Sequence, residues 1–532
     1  MKKILSMLLI LCFLLTALMA CGEDPEATEG GTEAGSESAT GPVEQGGTLA
    51  STNEYEDNEF IPAINPDEHD YDQETINILS RATVQHYREW GKEEIGDDIL
   101  DQAIKARNDI VASDLNVVVN IIRKETGSFN DYLEKFNSYI KNDVDLGLHE
   151  YDIVSAFAYG APNAQIRDYL ANMANTDVFP YFDFTKPCWN QTLVKNITIN
   201  NKLYCAASDI NLSIFDKTMV MWCNKTLYNE LKEDDDPDIQ DLALSKNGWT
   251  YTDLYAWSQR YEDRPNTTAD CEDFYGYCMA GGTYYDVYVP GWDIQLINTA
   301  NDGTHTFNII GNSHAEECLE AIRDIMKQQG TLSKCTCGKS CCDHFVGGTV
   351  LFWQDVLFGN DETNLKIREM DAEFCILPVP KYSETQPNYG TTPADNYNLI
   401  TIIDHYESDV PTKGEAISAY LQHASEQSYK EVRGMYFRKI VEGKYFGVND
   451  ETGTVTKSQK LFRIILDAIE FDIGIIYSPI LRDLGWLWRD NVNKQTTLED
   501  AFTSNNNSYT GDLRTRDQYE QCLRDFDTWI FS

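Results

Sequence analysis

The 532-residue chain carries 86 Asp and Glu against 43 Lys and Arg, a formal net charge of −43 at pH 7. A field of that sign makes nucleic acids and anionic lipid surfaces poor partners. The length suits two or more domains, and 30 Tyr and 10 Trp permit both large cores and stacking surfaces in a binding cleft.

Lys2 and Lys3 precede an apolar run from Ile4 to Ala20 that then meets Cys21. A positive start, an apolar middle and small residues at the end describe a secretory leader over residues 1–20. The run falls short of the ~20 apolar residues of a membrane span. Leu18-Met19-Ala20-Cys21 resembles the bacterial lipobox, which implies an acylated Cys21 thiol and cleavage just before it. Residues 22–50 are Gly, Glu, Ser, Thr and Ala with hardly an apolar side chain, so disorder is expected to about residue 72. Residues 21–73 thus read as a lipidated tether, and a flexible chain of ~50 residues reaches ~40 Å.

From there the pattern alternates. "TINILS" (75–80) reads as a strand, residues 84–114 as a helix, "LNVVVNIIRK" (115–124) as a strand, "SFNDYLEKFNSYIKN" as an amphipathic helix and "YDIVSAF" (151–157) as a third strand. Strands alternating with helices predict a parallel sheet with crossovers, whose sites lie at the strands' carboxyl ends. A second unit follows. "MVMWCNKTLYNEL" reads as strand into helix, "GWTYTDLYAWSQRY" as a helix behind a Thr start, and "AEECLEAIRDIMKQQG" as a helix closed by Gly330. "GGTVLFWQDVLF", "AEFCILPVP" and "YNLITII" read as strands, and Lys457 to Asp490 and Leu498 to Ala501 as helical.

The ordered set "NKLYCAASDINLS", "MVMWCNKTLYNEL", "NGWTYTDLYAWSQ", "FVGGTVLFWQDV", "FCILPVPKY" and "TLEDAF" resembles the family 1 extracellular solute-binding proteins of bacterial ABC importers, the maltose-binding-protein-like group. The resemblance spans residues 74 to 532. It implies two α/β lobes of the type II periplasmic-binding-protein fold with ligand in a cleft between them. The first lobe would comprise 74–207 plus 396–456 and the second 208–395 plus 457–532, with crossings near Asp209 and Asp395. The family's cleft loop maps onto "GGTYYDVYVPGW", implicating Tyr284 and Tyr285; "LFWQDV" adds Trp353 and Asp355. Asp209 and Asn211 would sit at the first crossing, Arg81 after the first strand, Phe157 and Tyr159 after the third, and Tyr477 on the late helix. The competing role for each aromatic is core packing; for Asp209 and Asp355 it is a solvated surface acid.

Other chemistries find little footing. "CGKS" (337–340) ends like a phosphate-binding loop, but Ser333 stands where its opening glycine belongs. There is no Gly-x-Ser-x-Gly elbow and no His-Glu-x-x-His motif. "EDRPNTTADCEDFYG" stands where the family often has a calcium loop, and it lacks the glycine of that loop's sharp turn. No metal and no cofactor are assigned. "CTCGKSCCDH" gathers four cysteines between Cys335 and Cys342; disulfides (a Cys271–Cys278 loop among them), free thiols and a metal cluster all stay open.

The reading is a non-enzymatic lipoprotein on the outer face of a bacterial cytoplasmic membrane. It captures a carbohydrate, an oligosaccharide, and delivers it to ABC importer permease subunits. Sugars offer apolar ring faces and hydroxyl rims, which aromatic plates and carboxylates recognise. The alternatives are a secreted glycoside-cleaving enzyme and a surface sugar sensor or adhesin.

Overall fold

Two strands with every residue buried, Ile153–Phe157 and Met219–Asn224, each lie inside a separate sheet. Continuous apolar strands of this kind suit sheets covered on both faces. The computed structural model describes residues 60–125, 129–161, 167–260, 274–300, 302–328, 330–332, 339–359, 361–405, 411–440, 456–494, 496–506, 511 and 513–531. The leader, Cys21, Cys271, Cys335 and Cys337 lie outside these residues, as does most of "EDRPNTTADCEDFYG".

The first sheet contains β1 (Glu74–Arg81), β2 (Val117–Lys124), β3 (Ile153–Phe157) and β11 (Asn398–Ile402) in the order β11-β3-β1-β2. β1 runs parallel to β2 and β3, and β11 is antiparallel to β3, with Asn398 opposite Phe157. The second sheet has the order β10-β4-β9-β5-β8, from β4 (Met219–Asn224), β5 (Tyr275–Met279), β8 (Thr331–Leu332), β9 (Val350–Val356) and β10 (Phe374–Leu377). β5 is parallel to β8 and β9, while β4 is antiparallel to β9 and β10. Two hairpins, β6 (Ile297–Thr299) with β7 (His305–Phe307) and β12 (Ser504–Asn506) with β13 (Leu513–Thr515), complete the strands among the described residues.

Two segments pass side by side between the sheets. Ala206 bridges Ile400 and Thr218 bridges Pro393, both antiparallel. Buried Glu89 ties them together: its carboxylate accepts from Ser213 Oγ at 3.0 Å on one segment and from Asn398 Nδ2 at 2.7 Å on the other.

Local chemistry sets the helix ends. Thr250 and Asp253 form a reciprocal capping box for Tyr251–Gln259, and the Asn312 side chain caps Ser313–Lys327. That helix stops at Lys327, before Gly330.

The stretch 84–114 is not one helix. It divides into Val84–Tyr87, a 3-10 turn Arg88–Trp90 and Ile99–Leu115. Gly91 takes φ +120° where a Cβ would meet Asn108 Nδ2 at 2.8 Å, and Asp98 starts the long helix by accepting from the Leu100 and Asp101 amides. The expected disorder to residue 72 is also corrected. Phe60 stacks on Tyr429, Ile64 is 3% exposed, and the Tyr71 amide bonds the Leu115 carbonyl. Apolar anchors thus fix the chain from residue 60 onward. A C-terminal helix, Arg516–Phe531, is additional to the sequence reading.

The cysteines resolve in part. Cys278 on β5 pairs with Cys341 in a disulfide, so Cys278 does not close a loop with Cys271. Cys342, next in sequence, is buried.

Candidate functional site

The carboxyl ends of the parallel strands point to the floor between the sheets. On the first sheet β1 ends at Arg81 and β3 leads through Ala158 to Tyr159. On the second, β5 runs through Gly281 and Gly282, at φ +77° and +64°, into the turn Gly282–Val287, while β9 ends beside Asp355. The two glycines allow the left-handed backbone that turns Tyr284 back over the strand end.

Tyr284 is half-buried, and its hydroxyl donates to Asp355 Oδ1 at 3.0 Å. Burial pushes the Asp355 carboxyl up to about 6; the Val356 amide, the Tyr284 hydroxyl and the Lys217 ammonium pull it the other way. Lys217 is 8% exposed and donates to the Phe358 carbonyl at 3.2 Å. Beside this group stands Asp395, whose carboxyl burial also pushes up to about 6, against the pull of Arg489. Arg489 forms a bidentate pair with Asp286 and reaches Asp395 at 3.7 Å. Its guanidinium lies over the ring of half-buried Trp486 at 4.9 Å. Tyr159 donates to Asp483 Oδ1 at 2.5 Å, and Asp483 is held in turn by Arg514 at 2.6 Å. Tyr159, Asp395 and Arg489 enclose a small void with about 10 Å³ for the centre of a water-sized sphere, room for one water.

The first-sheet wall carries its own network. Arg81 only donates, so its 2.8 Å contact makes His86 Nε2 the acceptor. His86 Nδ1–H then donates to Asn398 Oδ1 at 3.3 Å, and Asn398 Nδ2 donates to Glu89. Burial and the Arg81 charge hold the imidazole neutral, its pKa down to about 3. Burial pushes the Glu89 carboxyl up to about 7 despite its Asn398, Ser213 and Asn211 donors.

The ten residues singled out from the sequence separate into three groups. Arg81, Tyr159, Tyr284 and Asp355 lie at the strand ends just described. Phe157, Asn211, Tyr285, Trp353 and Tyr477 are each at most 3% exposed. Trp353 lies between Trp222, with centroids 6.0 Å apart, and Phe345 at 5.4 Å, because helices and strands cover both faces of β9. Tyr285 follows Tyr284 in a tight turn and so faces inward, where its carbonyl accepts from Trp488 Nε1. Tyr477 caps the short helix Ile473–Ile476 and packs on Phe526. Phe157 sits under the Arg81 guanidinium at 5.7 Å, and Asn211 accepts from the Ser208 amide. The third group is Asp209, which lines a different cavity, one that buried Asn211 also borders.

Sequence reasoning missed Trp486, Asp395 as a side chain of the site, and Lys217. For Trp486 the signal was "GWLWRD": on Leu484–Val492 one Trp, 488, is fully buried, and the other, two residues away, must face elsewhere.

No protein-family model matches the chain, and no curated protein matches it in sequence. Solved structures do. The sugar-binding protein MalE from Xanthomonas citri aligns with a TM-score of 0.53 at 11% identity, over 86% of this chain and 99% of that one. The cyclic alpha-maltosyl-1,6-maltose binding protein from Arthrobacter globiformis aligns with a TM-score of 0.52 at 14% identity, over 85% of this chain and 98% of that one. At such identities the likeness establishes the fold: this chain has the two-lobed type II periplasmic-binding-protein architecture.

Proposed function

We propose that this protein is the solute-capturing component of a bacterial ABC importer and that its cargo is a carbohydrate, an oligosaccharide. The observation that carries the reading is the Tyr284–Asp355 pair: an aromatic plate held by its own hydroxyl beside a carboxylate acceptor. A sugar ring face on such a plate gains about 1 kcal/mol beyond area burial. Trp486, Tyr159, Asp395 and Arg81 extend the same chemistry around it, aromatic rings next to acceptors and donors for hydroxyls. Held neutral or charged, Asp355 and Asp395 accept from a hydroxyl.

The lobes are proposed to comprise 74–207 plus 396–456 and 208–395 plus 457–532, with the first extended back to residue 60 by the packing of Phe60 and Ile64. Lipid-linked Cys21 would hold the protein at the outer face of the membrane, and residues 22–59 would be the tether. Permease subunits would receive the sugar there. The two proteins aligned above are a sugar-binding and a maltosyl-maltose-binding protein, which favours the carbohydrate class without deciding the sugar.

The test is incubation of purified protein with neutral oligosaccharides, followed by calorimetry and product analysis. Saturable binding with the sugar recovered intact supports capture; release of shorter sugars would replace it with glycoside cleavage.

A further inference from the structure

Away from the Tyr284 cleft, a second cavity of about 280 Å³ opens beside the first crossing segment. It shares no lining residue with the one-water void at Tyr159 and Arg489. Ser208, Asp209 and Arg433 line it together with the rings of Trp189, Phe215 and Phe437. The walls come from different parts of the fold. Arg433–Ile440 packs on Ile99–Leu115, which covers β2, whereas Lys457–Asp467 packs on β10 of the second sheet.

The cavity holds a charged group that burial alone would expel. The Asp209 side chain is 7% exposed, and its Oδ2 meets Arg433 Nη1 at 3.3 Å. Oδ1 has no donor among the described residues and borders the cavity. A carboxylate stripped of water needs donors for its free lone pairs. Ser208 Oγ receives the Ile210 amide and keeps its own proton to give. Asp209 and Arg433 offset each other, and Asp467, the other carboxylate of the lining, is exposed to solvent, so an occupant need carry no charge of its own. What is left over is a set of mixed donors and acceptors among the rings of Trp189, Phe215 and Phe437. That set fits alternating hydroxyls on an apolar ring face. The cavity lies just below the ~300–1,000 Å³ range of small-molecule pockets, a size that suits one sugar ring rather than a chain.

We propose that this cavity is a second binding site, for a neutral monosaccharide, with Asp209 accepting from sugar hydroxyls and Phe437 covering a ring face. It is distinct from the oligosaccharide cleft and does not depend on what the cleft binds.

The test is saturation-transfer NMR on the full chain with D-glucose, D-galactose and D-mannose as probes. The variants are Asp209→Asn, Thr192→Trp, which fills the cavity from its rim, and Tyr284→Ala in the cleft. Circular dichroism checks that each is folded. The expected result is transfer to at least one hexose that survives Tyr284→Ala and drops at least tenfold in Thr192→Trp and Asp209→Asn. If Asp209→Asn does not fold, Thr192→Trp alone decides. Transfer lost in Tyr284→Ala and retained in Thr192→Trp would place the hexose in the cleft and overturn the proposal. So would the absence of transfer to all three sugars.

Discussion

Glu89 makes this protein's stability depend on pH in the direction opposite to most. Its carboxyl is 3% exposed and clamps both crossing segments, and burial raises its pKa from 4.5 to about 7. A raised carboxyl means that the folded state binds the proton more tightly than the unfolded chain. The stability it contributes is therefore full below pH ~4.5 and lost as pH rises through about 7. At 1.36 kcal/mol per unit, that shift corresponds to about 3 kcal/mol between pH 4.5 and 7. Asp209, Asp355, Asp395 and Asp472, each pushed up to about 6 by burial, act with the same sign over a window that closes near pH 6. The carboxyls held low, among them Asp343 at about 2, titrate below pH 4, and buried His86, depressed to about 3, opposes the trend only up to its ordinary pKa of 6.5, one group against five. Urea unfolding at pH 5, 6, 7 and 8 in ~0.15 M salt reads the slope. Stability should fall from pH 5 to 7, and Glu89→Gln should flatten the fall between 6 and 7 by about half. A stability that climbs from pH 5 to 7, or a Glu89→Gln slope equal to wild type, would refute the reasoning.

Three further outcomes are expected. Trp353→Ala, opening a hole between Trp222 and Phe345, should cost about 3–5 kcal/mol in urea unfolding while leaving ligand affinity per folded molecule unchanged. Weakened affinity at full stability would return Trp353 to the cleft. Cys341→Ser removes a cross-link spanning 63 residues and should cost about 4 kcal/mol by loop entropy, an effect that a reducing agent reproduces in wild type. Unaltered unfolding in both would argue against the disulfide. Cys21→Ser should abolish incorporation of a fatty-acid probe; undiminished labelling would sink the lipid anchor.

The strands and most helix starts were legible because they rest on local chemistry. β1, β3 and β4 are bounded apolar runs, and the Thr250 cap announces its helix. The break at Gly91 was not, because a single glycine inside a helical pattern reveals its positive φ only through the packing of Asn108. The site was legible by strand end but not by side chain. Arg81 and Tyr159 were nominated from where strands stop, Tyr284 and Asp355 from the resemblance of "GGTYYDVYVPGW" and "LFWQDV". Which of Tyr284 and Tyr285 turns outward depends on the glycines before them, and whether Trp353 faces a cleft or a core depends on what covers β9. Asp209 was read as part of the cleft because it is next to the crossing, yet the crossing has two sides, and periodicity does not say which side a residue takes. The Cys278–Cys341 pairing is a long-range contact that spacing leaves open.

The central claim is that Tyr284 and its neighbours hold a sugar between the lobes. Isothermal titration of the tether-free domain, starting at residue 60, against a panel of neutral gluco- and galacto-oligosaccharides tests it most directly. The account predicts one-to-one binding of at least one of them, weakened by roughly 1–3 kcal/mol in Tyr284→Ala, or about 5- to 150-fold in Kd. A panel oligosaccharide that binds Tyr284→Ala and wild type equally, or a domain that binds none of the panel, would contradict it.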